Sequence, residues 1–265
     1  MNDWRSYDET AATYEHVWAP RFADISKDLV EMAAPSPDVR VLDVATGTGV
    51  TAAAVRAAAG NRSRVIGVDR SVGMLRAGQE ARPGPRALVD VLDLPFADGA
   101  FDLVTCSFAL HIFTKHETAL FDMTRVLRPG GTIAVSVWTG GEDTFSAAWR
   151  ELVEAAVGKD MLVTASADAA PGRDRFSDPN NLDAALGRAG IDKVEIEKRE
   201  YRFRFTVDEY LEGLGATGRG RFVRQMLGEA GYAAFMERTA AEFRSRFADP
   251  LTDFNDALLA VGIKE

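Results

Sequence analysis

Residues Val41 to Val50 read VLDVATGTGV. This apolar run, which carries an acid near its end and passes into a glycine turn, constrains the fold more than any other stretch. The apolar residues predict a strand buried on both faces. Gly47 and Gly49 permit the backbone of a tight turn and a close approach to a ligand. VTAAAVRAAAGN then predicts a small-residue helix that stops near Gly60. Strand, glycine turn and helix in that order open a βαβ unit, with the electropositive end of the helix facing whatever the turn holds.

The pattern continues along the chain. RVIGVD (Arg64 to Asp69) predicts a second strand, with Ser71 placed to cap the next helix. RALVDVL predicts a third. A turn at Asp98–Gly99 leads into a fourth, Phe101 to Ser107, and TIAVSVW predicts a fifth after a helix that ends at Pro129–Gly130–Gly131. Near-continuous apolar strands alternating with helices imply an α/β fold with a doubly wound parallel sheet. Ahead of this core, Tyr14, Trp18, Phe22, Ile25, Leu29 and Met32 recur at helical spacing, with Pro20 positioned to kink or divide the helix. Behind it, FSAAWRELVEAAV and NNLDAALGRAG predict helices, and TASADAAPGRDRFSDP a long loop or lid. KVEIEKREYRFRF alternates as a strand, and the end of LTDFNDALLAVGIK reads as a last one. The expected division is a helical cap over 1–36, a cofactor-binding core over 37–140, a helix, loop and strand over 141–206, a helical lid insertion over 207–249 and a final strand over 250–265.

Of 265 residues, 46% are apolar, enough to bury a sizeable core. The formal net charge of -9 leaves no electrostatic footprint for nucleic acid or anionic lipid, and the basic RGRFVR reads as a solvated helix face. The single cysteine, Cys106, excludes an intrachain disulfide and a thiolate metal cluster, and reads as an inert strand residue. The start, MNDWRSYDE, lacks the regions of a signal peptide, and no apolar run reaches the length of a membrane span. A cytoplasmic enzyme or binding protein is expected, monomer or homodimer, acting on a small molecule without nucleic acid, membrane or metal.

The acid decides what the turn holds. A pyrophosphate is anionic and Asp43 would repel it, which counts against a dinucleotide oxidoreductase. S-adenosyl-L-methionine carries an ammonium and a sulfonium and no phosphate. Asp69, ending the second strand, is placed to accept both hydroxyls of a ribose. Asp93, in VLDLPF, is placed to accept the adenine amino group, with Leu94 over the ring. These acids at successive strand ends line one crevice.

Together, VLDVATGTG, VIGVDRSVGML, VLDLPFADGAFDLV and RVLRPGGTIAVSVW resemble the class I S-adenosylmethionine-dependent methyltransferases of the type 11 group, which includes quinone-biosynthesis and natural-product enzymes. The resemblance covers about Tyr14 to Trp138. It implies a Rossmann-like seven-stranded, mainly parallel sheet with a late antiparallel strand. It also implies that Tyr14 closes over the cofactor, that Ala45, Thr46 and Arg70 in the matching motifs touch it, and that Ser107 and Phe108 sit where cofactor and acceptor meet. Met74 reads equally as an adenine contact or as core, as does Leu94.

Methyl transfer asks chiefly for alignment, and a base only where the acceptor is protonated. His111, in the loop after the fourth strand, and His16, beside Tyr14, are the candidate bases; His116 reads as solvated. Trp18 and Trp138 read as an acceptor wall or as core. CSFAL after the fourth strand lacks the Asn/Asp/Ser-Pro-Pro-aromatic motif of related nitrogen methylases, and the lone cysteine excludes arsenic methylation. The alternatives are a non-methylating reaction on the same fold, such as cyclisation or decarboxylation, and a binder without catalysis.

Overall fold

The computed structural model describes residues 6–139 and 143–265. The first five residues of the expected cap and the expected boundary at 140/141 lie outside the described residues. The chain opens with short helical turns, including α1 (Ala11–Thr13) and a π-helical turn (Tyr14–Trp18), before α2 (Ala19–Ala33). Pro20 stands in the first turn of α2, where its missing N–H costs no hydrogen bond. The expected division of the helix therefore falls just before it.

The core follows as β1 (Arg40–Val44), α3 (Val50–Ala59), β2 (Arg64–Asp69), α4 (Val72–Ala81), β3 (Arg86–Leu88), β4 (Phe101–Ser107), α5 (His116–Val126) and β5 (Leu127–Trp138). The rest comprises α6 (Thr144–Val157), α7 (Lys159–Ala169), α8 (Arg173–Phe176), α9 (Pro179–Arg188), β6 (Ile191–Phe205), α10 (Val207–Ala216), α11 (Gly218–Arg246) and β7 (Leu251–Lys264).

The seven strands form one sheet in the order β3-β2-β1-β4-β5-β7-β6. β1 to β5 pair in parallel, and β7 runs antiparallel between β5 and β6. This is the mainly parallel sheet with a late antiparallel strand that the motifs imply. The strand order reverses beside β1, between β2 and β4, so the C-terminal ends of β1, β2 and β4 frame the crevice where such sheets hold ligands.

Alternate strand residues feed two cores. Val41 and Leu103 pack with Ile25 and Leu29 of α2 and with Trp149 of α6. Leu42 and Val104, one residue on and facing the other way, pack with Leu120 and Met123 of α5 and with Leu182 and Leu186 of α9.

Two expectations are corrected. TASADAAPGRDRFSDP is largely helical, in α7 and α8, because Ala165 and Phe176 are drawn into buried positions. The block over 207–249 is no loose lid: Val207, Tyr210, Phe235 and Phe243 of α10 and α11 belong to the same core as α2 and α6. We therefore expect Phe243→Ala to cost about 3–5 kcal/mol and to lower the midpoint of a single cooperative unfolding transition followed by tryptophan fluorescence. A separately hinged lid would leave that transition unmoved.

Candidate functional site

Asp43, near the end of β1, is 1% exposed, and donors from three elements meet its carboxylate. Oδ1 accepts from Thr105 Oγ1 of β4 at 2.6 Å, and Oδ2 from Thr46 Oγ1 at 2.5 Å and from the Ala52 N–H of α3 at 3.2 Å. Asp69, at the end of β2, accepts from the Gly47 and Ser71 N–H groups, both at 2.8 Å. Burial pushes both carboxyls above the usual carboxylate range, and these hydrogen bonds oppose it. The Thr46 N–H is bonded to the Val68 carbonyl and the Gly49 N–H to that of Thr46. The Thr46, Gly47, Gly49 and Ala52 amides are thus already engaged, two of them by carboxylates.

A cavity of about 30 Å³, the room of a single water, lies against this turn. Tyr14, Phe22 and Ser26 of the cap close it on one side, and Ser107 and Phe108 of the β4 end on another. Ala45 and Phe108 both hold a left-handed backbone, each at φ 52°, a conformation that costs a side-chain-bearing residue of order 1 kcal/mol or more. Phe108 is held there by stacking on Trp138 at 4.2 Å and by its N–H bond to the Ser136 carbonyl. Phe22 packs on both Phe108 and Tyr14. Burial raises the Tyr14 phenol. Ser107 and Ser136 share a 2.6 Å hydroxyl bond, while the buried Thr48 hydroxyl has no partner. The cap is moored by Glu15 to Arg82 at 2.7 Å and by Asp8 to Ser71 and Gly73 at the start of α4.

Of the residues expected from the sequence, Tyr14, Asp43, Ala45, Thr46, Gly47, Ser107 and Phe108 line the cavity, and Asp69 holds Gly47 from beneath. Others need correction. A Cβ at Gly47 would meet nothing within 4 Å, so its absence leaves an open cradle; a Cβ at Gly49 would strike the Arg86 guanidinium, so that glycine serves packing. β3 ends at Leu88, and Asp90 makes a tight turn in which its Oδ1 accepts from the Leu92 N–H and its carbonyl from the Asp93 N–H. Asp90 lies two residues past the end of β3 and Asp93 five, and both are exposed. Leu94 is core, with its N–H bonded to Asp122 and its carbonyl to Arg125. Met74 is buried in α4 and Arg70 is exposed.

Neither histidine named as a base lines the cavity. The His111 carbonyl accepts from the Gly172 N–H, just ahead of α8, and its buried Nδ1 has no partner. Burial, helped by Arg173, pushes the imidazole down to about 4. His16 is exposed on the π-turn. His116 begins α5 but is edge-on to Phe176, with Nε2 buried, rather than solvated.

Sequence reasoning missed Ser26, Thr48 and Thr51 as lining residues and Thr105 as the partner of Asp43. Helical spacing had grouped Phe22 with Tyr14 but gave it no role in the site; Thr105, 62 residues from Asp43, gave no signal. Among the described residues there is no group of three or more potential metal ligands, and no helix is long and apolar enough to cross a membrane.

Residues 42–135 match the family Methyltransf_11, described as a methyltransferase domain. The chain is 46% identical over 100 residues to the demethylmenaquinone methyltransferase of Mycolicibacterium vanbaalenii, covering 38% of this chain and 42% of that one. It thus spans less than half the length of that curated relative. Among solved structures it resembles the YcgJ protein of Bacillus subtilis, with TM-score 0.58 and 22% identity over 91% of this chain and 99% of that one. It also resembles a phosphoethanolamine N-methyltransferase of Haemonchus contortus solved with S-adenosyl-L-methionine, with TM-score 0.60 and 18% identity over 100% of this chain and 60% of that one. These structural likenesses are of fold. Through the four motifs, the sheet order and the family match, residues 42–135 form a methyltransferase domain of the Methyltransf_11 family, and the chain around it has the fold of the class I S-adenosylmethionine-dependent methyltransferases that it resembles.

Proposed function

We propose that the protein binds S-adenosyl-L-methionine at the glycine turn and transfers its methyl group to a small planar acceptor of quinone or phenol type. The observation that carries this reading is the occupation of the Gly47 and Ala52 amides by Asp69 and Asp43. That arrangement disfavours an anionic ligand and favours one bearing positive charge. The open cradle at Gly47 and the unpartnered Thr48 hydroxyl fit such a ligand.

When bound, the cofactor supplies a methyl carbon made electrophilic by its sulfonium sulfur. Asp69 retains lone pairs for two ribose hydroxyls, and Asp90, rather than Asp93, is placed for the adenine amino group. Asp43 contributes a negative potential from within the turn, since donors already cover its oxygens. Phe22, Phe108 and Trp138 exclude water and offer flat faces to a planar acceptor. Ser107, oriented by Ser136, can direct an acceptor oxygen. No histidine lines the cavity, so alignment carries the reaction and the acceptor must be nucleophilic as bound, as the ring carbon of a phenolate or hydroquinone is. The quinone class is also supported by the name of the demethylmenaquinone relative. A non-methylating reaction on this fold is separated by its product, because S-adenosylhomocysteine forms only if the methyl group leaves.

Incubation with methyl-labelled cofactor and a panel of quinols, phenols, amines and sugars should transfer label to a quinol or phenol. Wild-type protein should bind S-adenosylhomocysteine in calorimetry, and Asp69→Ala should weaken that binding about tenfold or more, the value of a charge-assisted hydrogen bond or two. Unchanged affinity would remove Asp69 from the site.

His111→Ala should leave turnover within about threefold of wild type. The histidine instead shapes acid stability. Its folded value of about 4 lies below the unfolded value near 6.5, so the unfolded chain takes up the proton first. Stability should therefore fall as pH drops from about 6.5 to 4, by up to roughly 3 kcal/mol from this group. Urea midpoints across that range should decline less steeply in His111→Ala.

A further inference from the structure

Arg86 points from β3 to the underside of the glycine turn. Its Nη2 donates to the carbonyls of Gly78 at 2.9 Å, Arg82 at 2.6 Å and Thr48 at 3.4 Å. A Cβ on Gly49 would lie 2.5 Å from this guanidinium and one on Gly78 2.6 Å from it, so both glycines clear the space that it fills. Its Nε and Nη1 are buried and have no hydrogen-bond partner. The charged groups acting on it are Arg56 of α3 and Arg82 at the end of α4, which oppose its charge, and Asp43 and Glu15, which favour it. A half-buried, half-satisfied cation among other cations carries a desolvation cost, and a packed apolar side chain would hold the same space without it. One group gains from the charge directly: the Thr48 carbonyl, which it steadies between the two turn glycines.

We propose that Arg86 is a positioning residue for the cofactor, acting from behind the glycine turn by bracing Thr48 and Gly49. The inference rests on the functional reading above. Arg82 extends the same brace outward, since it approaches the Thr48 carbonyl at 3.5 Å and holds Glu15 of the cap. The turn and the cap thus share one cationic support, and no part of it lines the cavity.

The test is calorimetric binding of S-adenosylhomocysteine to the whole protein between pH 5 and 8, for wild type, Arg86→Met and Arg86→Lys, with hydrogen exchange at the Thr48 and Gly49 amides. Arg86→Met keeps the stem and removes the charge. Its affinity should fall tenfold or more. Exchange at the two amides should quicken. Arg86→Lys keeps the charge and loses the fork, so it should recover part of the affinity. Affinity within twofold of wild type in Arg86→Met at every pH would overturn the proposal, as would equal losses in both variants with unchanged exchange at Thr48 and Gly49. Should Arg86→Met fail to fold, Arg86→Lys decides: weakened binding with faster exchange at Thr48 and Gly49 upholds the brace, and wild-type values refute it. Failure of the wild type to bind S-adenosylhomocysteine would instead refute the functional reading.

Discussion

A carboxylate removed from water must be met by donors, and Asp43 is met by three of them, from the glycine turn, from α3 and from β4. Bonding of this kind would be one stabilising contact among many on a surface. Here it fixes the geometry of the crevice, because the elements that bond to the carboxylate are the same ones that frame the site. The parallel sheet brings β1 and β4 side by side with Asp43 opposite Thr105. The turn is then held at both ends, by Asp43 inside and by Asp69 from the next strand. Removing either acid would leave orphaned donors as well as a missing charge, so the site and the fold share their most costly interaction.

What could be read from the sequence divides along lines of distance. The glycine turn, the parallel strands and the late antiparallel strand were legible because each is written in contiguous residues: a buried strand next to small residues, or a run alternating with period two. Asp69 was legible for the same reason, as the last residue of its strand. RALVDVL looks like a strand throughout, which put Asp93 close behind it, whereas pairing along the sheet edge ends at Leu88 and the following residues turn. His111 was misread because proximity to the end of β4 says nothing of which way the loop packs; its contact with Gly172 brings together residues far apart in the chain. Arg86 gave no signal, since a charged residue on a short edge strand ordinarily faces solvent.

The side proposed for the acceptor is built differently from the glycine turn. Around the glycine turn the interactions are directional and nearly saturated. Across from it, Phe22, Phe108 and Trp138 meet through ring faces and edges at centroid separations of 4.2 to 5.8 Å. Rings in such contacts exchange one packing for another at small cost, whereas a buried carboxylate does not. The strained backbone at Phe108 marks the place where the two kinds of structure join. A site built this way keeps one ligand constant and leaves room for change in the other.

The π-turn at Tyr14–Trp18 carries a consequence of its own. Within it the Ala19 N–H reaches back five residues, to the Tyr14 carbonyl, instead of the usual four. Each residue of an α-helix advances the chain by about 100° around its axis. The surplus residue therefore resets the angular phase of everything upstream relative to α2. Losing any one residue there would let the segment relax into a regular helix and swing Tyr14 about 100° from the glycine turn, with every side chain chemically intact. In this part of the chain, residue count matters as much as residue type, and related sequences that differ there by one position would present a different wall to the same ligand.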